Sequence, residues 1–151
     1  MRKKIEYLIT IDESRDKNKL FSIEEAPAFK MESWCYKALT AIFESGTFVM
    51  PNDIMNFSSE VIAMLGISSI LKIKNDKLNE LFEEIFEYIK IISEGNKNLA
   101  RKIILDSEDI QEVSTLFELR LEWLKLNLNF LKAAGLYMMK KYLPESSGEK
   151  N

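Results

Sequence analysis

The stretch DIQEVSTLFELRLEWLKLNLNFLKAAGLYMMKKY, residues 109–142, decides the fold. Its apolar residues recur at helical spacing and occupy most of the circumference of a wheel. Thr115, Glu118, Glu122, Lys125, Asn129 and Lys132 form one narrow polar stripe. Val113, Leu116, Trp123, Leu124, Phe130, Leu131 and Ala134 fill the opposite arc, with Arg120 and Asn127 set near its middle. A surface helix needs a single apolar stripe, so this one must be covered on several sides. It is either the central helix of a bundle or a helix covered in part by another protein.

Working outward, residues 4–25 alternate with period two. Ile5, Tyr7, Ile9 and Ile11 share one face, the polar stretch DESRDKNK follows at 12–19, and LFSIEE follows that. This pattern predicts a β-hairpin, which is marginal in water and must lean on the helices. Pro27 opens a helix through Phe29, Met31, Trp34, Cys35, Ala38, Leu39, Ile42 and Phe43 that stops at Gly46. After the loop GTFVMPND, Asn52 or Asp53 caps a second helix containing Ile54, Phe57, Val61, Ile62 and Leu65. Gly66 is expected to bend or end it, with Ser68 to Leu71 as a short continuation. Asn75 or Asp76 caps a third helix with the stripe Leu78, Leu81, Phe82, Ile85, Ile89 and Ile92, ending at Gly95. The run RKIIL is a candidate third strand for the hairpin, and Asp106, Ser107 and Asp109 offer caps for the long helix. The expectation is one α+β, mostly helical domain over residues 1–143, a hairpin packed on about four helices, followed by a disordered tail at 144–151.

Composition narrows the function. The chain has 151 residues, 46% hydrophobic and 30% charged, an ordinary globular balance. A net charge of −3 and an isoelectric point near 5.2 give no basic face for nucleic acid. No apolar run reaches membrane-spanning length, and the N-terminus does not read as a secretory signal, so a soluble, cytoplasmic protein is expected. Cys35 stands alone, so no internal disulfide can form. The sequence holds no histidine, which removes the commonest general base and zinc ligand and argues against an enzyme.

Several constellations have a sharp and a bland reading. Glu80, Glu83, Glu84 and Glu87 have the spacing of a bundle metal site, but they face away from the apolar stripe and read as a solvated acidic face. No cofactor or metal is implied. The segment 12–19 is a solvated hairpin tip or a partner-contacting one, in which case Arg15, Asp16, Lys17 and Lys19 are the binding residues. Cys35 reads as core, lacking a base to activate it. Met31, Met50, Met55, Met64, Met138 and Met139 are core filler or an adaptable binding surface. Arg120 in an apolar arc is costly unless paired. We expect it to tie the long helix to a carboxylate, with Asn127 bonding a turn or backbone group; the alternative is an Arg120 that snorkels to water.

The order of these segments resembles the phage tail assembly chaperone family of tailed phages, prophages and gene transfer agents. The resemblance spans roughly residues 9–131. It lies in Arg15, Asp16, Lys17, Lys19 and Phe21, in Trp34, Ala38, Leu39 and Ala41, and in Asp109, Ile110, Glu112, Val113, Leu119, Arg120, Leu121, Glu122, Lys125, Leu126 and Phe130. It implies a non-enzymatic protein that binds the tape measure protein, with tail tube subunits as a further partner. Such a protein works in the host cytoplasm and is absent from the finished particle. The chain departs from the family in being rich in Lys, Ile and Asn where relatives are rich in Ala and Gly. A second reading is a small acidic adaptor such as an antitoxin or immunity protein. A homo-oligomer would also cover the surplus apolar face.

Overall fold

A computed structural model describes residues 1–45, 56 and 58–142, with side chains described at all of these except 43, 59 and 128–142. Among the described residues the chain is α+β and mostly helical. Strands β1 (Lys4–Leu8) and β2 (Leu20–Glu24) precede helices α1 (Ala28–Glu44), α2 (Ser59–Ile70) and α3 (Asn75–Ile85). Strands β3 (Ile89–Ile92) and β4 (Ala100–Lys102) then lead to the long helix α4 (Val113–Tyr142).

The sheet has the order β1-β2-β3-β4, antiparallel throughout. Register puts Ile5 beside Ile23 and Ile23 beside Ile89, and aligns Tyr7, Phe21, Ile91 and Arg101 in one row. These rows form the face turned to the helices, where Phe21, Ile23 and Ile89 are fully buried. The opposite face carries Leu8, Leu20, Ile92 and Ala100 in another row. An ion pair from Lys97 Nζ to Glu6 Oε1 at 2.6 Å carries the β3–β4 connection across β2 to the edge strand. That cover explains why Ser22 and Ile92, on the outer face, are buried.

The third helix is shorter than its apolar spacing predicts. It stops at Ile85, a single 3-10 turn covers Phe86–Tyr88, and Ile89 and Ile92 belong to a strand. The spacing 85, 89, 92 is helical, but IKII is also β-branched at three of four positions, and β2 offers it an unpaired edge. Tertiary pairing overrides the local pattern. The run RKIIL supplies only the short edge strand β4, which pairs with β3 and not with the hairpin.

Helix boundaries shift for local reasons. Pro27 stands immediately before α1 and its carbonyl accepts from Met31 N at 2.9 Å. Helix α2 is capped by Ser58, whose hydroxyl accepts from Val61 N, while the expected caps Asn52 and Asp53 lie outside the described residues, as do Gly46 and the tail. Gly66 does not end α2, which runs through it to Ile70. Asn75 and Asp76 fall inside the first turn of α3, after Lys74.

Helix α4 sits at the centre of the packing. From Glu118 to Asn127 every residue is buried or half-buried, so this part of the helix is enclosed by its own chain. Trp123 packs edge-on to Trp34 of α1 at 5.3 Å and stacks on Tyr88 at 5.7 Å. Each such aromatic pair adds about 0.5–1.5 kcal/mol beyond area burial. The polar stripe is not a solvent stripe in its described part. Thr115 is fully buried, Glu118 accepts from the Tyr7 hydroxyl at 2.8 Å, and Lys125 bridges Glu122 and Glu60. Val113, placed in the apolar arc, is instead 80% exposed.

Gly66 offers a direct test of helix continuity. A Cβ added there meets nothing within 4 Å, so Gly66→Ala should raise stability by about 0.5–1 kcal/mol through the lost unfolded-state entropy. Urea denaturation with no gain, or a loss, would contradict an unbroken α2.

Candidate functional site

The hairpin tip is where the candidate residues converge. The chain between β1 and β2 turns back on itself through Ile9 N to Lys19 O and Asn18 N to Ile9 O, with Asn18 in the left-handed region at φ 70. Asparagine tolerates that conformation better than most residues, which suits it to this turn. The turn brings Asp16 against the segment that enters α4.

Asp16 is fully buried. Its Oδ1 accepts from Lys19 Nζ at 2.8 Å and from Gln111 N at 2.9 Å. Its Oδ2 accepts from Glu112 N at 2.9 Å and from the Thr115 hydroxyl at 2.7 Å. Burial raises the pKa of this carboxyl, but the donors from Lys19, Thr115 and the two backbone amides outweigh it and hold it at about 2. An ionised carboxylate beside a helix N-terminus is also favoured by the helix dipole. The tip is therefore not simply solvated, as its charge pattern suggests. One of its aspartates is a core residue.

The flanking charges fasten the same junction. Arg15 donates from Nε to Glu112 Oε1 at 2.8 Å and from Nη2 to the Gln111 carbonyl at 2.8 Å. Lys19 Nζ also donates to the carbonyls of Glu108 at 2.7 Å and Asp109 at 3.2 Å. Lys17 points outward, pairing with exposed Asp12 at 2.6 Å. So Arg15, Asp16 and Lys19 come together on α4's entry, and Lys17 does not. Each of the three already has intramolecular partners.

The caps predicted from Asp106, Ser107 and Asp109 are replaced by this arrangement, and α4 begins at Val113. Ser107 closes a turn through its hydroxyl to the Ile104 carbonyl at 2.7 Å. Asp109 receives both Arg101 terminal nitrogens at 2.7 Å and Ile104 N at 2.9 Å, so Arg101 first and the amide and hydroxyl donors with it hold its pKa at about 2. Arg101, Asp109 and Thr115 were not legible as a unit, because the contacts that join them to the hairpin are long-range.

Deeper along α4, Asn127 is fully buried. Its Oδ1 accepts from Ala26 N at 3.1 Å and its Nδ2 donates to the Trp123 carbonyl at 2.7 Å, pinning the start of α1 to α4. Arg120 differs from expectation. Among the described residues it meets no carboxylate, and its buried Nε makes no hydrogen bond. Its guanidinium lies 4.2 Å from the centroid of Phe82 and 5.3 Å from that of Phe86. Burial pushes its pKa down to about 10. Ring contacts of this kind are worth about 0.5–2 kcal/mol, less than full desolvation of a cation costs.

Two other candidates resolve simply. Lys37 pairs with Glu84 and, at 3.8 Å, with Glu80, so those carboxylates are occupied by a neighbouring helix. Burial, aided by Glu32, pushes the Cys35 thiol up to about 12, so it stays protonated and unreactive at neutral pH. Among the described residues no cluster of acidic or cysteine side chains has the arrangement of a metal site. Neither family models, nor curated proteins, nor solved structures give a match to this chain.

Asp16→Ala should cost about 3 kcal/mol, since it strands two backbone amides and the buried Thr115 hydroxyl. The Asp16 contribution is fully present above about pH 4 and is lost as the pH falls toward 2, because the folded-state pKa lies below the usual 3.8. Urea midpoints of wild type and variant should therefore converge on acidification. A gap that stays constant from pH 7 to pH 2 would refute this role.

Proposed function

We propose that this chain is a non-enzymatic assembly chaperone of the phage tail type. It binds the tape measure protein, a long helical partner, and keeps it soluble in the bacterial cytoplasm until the tail tube grows over it. Tail tube subunits are its second candidate partner. The observation that carries this reading is the meeting of the two segments that bear the resemblance. Arg15, Asp16 and Lys19 bond Glu108, Asp109, Gln111, Glu112 and Thr115, across about ninety residues of sequence. Residues that resemble the family separately thus form one three-dimensional unit.

The distribution of apolar surface supports a client-holding role. Helix α2 is apolar on two sides, with Ala63, Ile67 and Ile70 buried and Val61 and Met64 exposed, and Leu71 just past its end is exposed too. Helix α1 similarly buries Met31, Trp34 and Ala38 and exposes Phe29, Tyr36 and Leu39. Exposed apolar residues at helical spacing suit a helix-in-groove mode of binding. Among the described residues no helix is long and apolar enough to cross a membrane, in keeping with work in the cytoplasm.

Co-expression with a tape measure protein from the same genome should move that protein into the soluble fraction and co-purify it with this chain. A partner equally insoluble with and without this chain would end the reading and leave the small acidic adaptor as the alternative.

A further inference from the structure

The four arginines of the sequence are not treated alike. Arg2 meets Glu24, Arg15 meets Glu112 and Arg101 meets Asp109. Arg120 alone has no carboxylate among the described residues, and its only close partners are the faces of Phe82 and Phe86. The absence of any acidic contribution to its lowered pKa agrees with that geometry. Arg120 is half-buried, and only its Nε is both buried and unbonded, so its terminal nitrogens reach the surface without an acidic partner. A carboxylate brought by another molecule can meet the guanidinium from that open side.

The surroundings specify the rest of the ligand. On α4, Val113 and Phe117 project within about 60° of Arg120. Val113 is 80% exposed and Phe117 is 37% exposed. Leu116 beside them, and Phe82 and Leu78 of α3, are half-buried. An arginine with no acidic partner therefore shares one face of α4 with exposed apolar side chains, and lies over the Phe82 ring of α3. A third helix can pack against such a face of two adjacent helices.

We propose that this edge of α3 and α4, formed by Val113, Phe117, Arg120 and Phe82, docks an amphipathic helix of a partner that carries one carboxylate within its apolar stripe. The carboxylate bonds the Arg120 guanidinium over the Phe82 ring, and apolar residues on the following turns cover Phe117 and Val113. The inference rests on the chaperone reading for the helical nature of the partner, and adds to it the site and the sequence pattern that the site selects.

The probe is a set of overlapping synthetic peptides tiled across that tape measure protein, with the intact protein alongside. Wild-type chain should bind the subset with Glu or Asp inside an apolar helical stripe. Arg120→Met removes the charge while keeping bulk, and should leave the melting temperature equal or higher while weakening binding at least about tenfold. Val113→Asp, at an exposed position, should leave the fold intact and weaken binding to a similar degree. Changing the peptide's acidic residue to its amide should erase the difference between wild type and Arg120→Met. Intact partner bound equally by wild type and both variants would overturn the site and leave the chaperone reading standing. No binding of partner or peptides by wild type would remove both. An Arg120→Met chain that fails to fold would show the guanidinium to be structural and overturn the site. So would self-association abolished by Val113→Asp, which would identify the occupant as a second copy.

Discussion

The buried carboxylate of Asp16 is the interaction on which the rest of the structure depends. It is the point where an N-terminal hairpin and a C-terminal helix share one set of hydrogen bonds. A buried charge is tolerated only when its lone pairs are matched by donors, and here four donors match two oxygens. The geometry leaves little freedom. The hairpin tip must turn at Asn18, α4 must start at Val113, and Thr115 must face inward. That last requirement sets the rotation of α4 about its own axis. It thereby decides that Leu119, Trp123 and Asn127 point into the core and that Val113 points out.

Much of this was legible in the chain because it is local. The period-two run at residues 4–9, the Pro before α1 and the apolar spacing of Trp34 and Ala38 each give their element directly. The failures have a common cause. Ile89 and Ile92 fit a helix as well as a strand, and only the free edge of β2 decides between them. The partners of the polar stripe of α4 are not legible in the chain, because a sequence pattern carries no information about a tyrosine or an aspartate arriving from a hundred residues away. Asp16 looked like one more charge in a charged loop. Nothing in its neighbours announces that it is buried.

Arg120 and Asn127 show two solutions to one problem. Both are polar groups in an enclosed helix face. Asn127 finds a backbone amide and a backbone carbonyl, satisfying one donor and one acceptor, and locks α4 to the residue before Pro27. Arg120 finds aromatic rings. The first arrangement is self-sufficient and reads as architecture. The second leaves hydrogen-bonding capacity over, at the boundary between enclosed helix and open surface.

The span of the Asp16 contacts also bears on the order in which the protein is made. The hairpin leaves the ribosome before α4, yet the amide and hydroxyl donors that complete the hydrogen bonds of its buried aspartate lie 95 to 99 residues later. Until the start of α4 emerges, Asp16 has water in place of its backbone partners, and β2 lacks the strand that pairs with its second edge until residue 89 is made. Closure of the hairpin tip therefore waits for a segment made about a hundred residues later, a long-range contact of the kind that forms late. A chain released before that point would leave Asp16 without its amide and hydroxyl donors, and one released before residue 89 would also carry an open edge on β2. Emergence of the start of α4 thus acts as a checkpoint written into the topology.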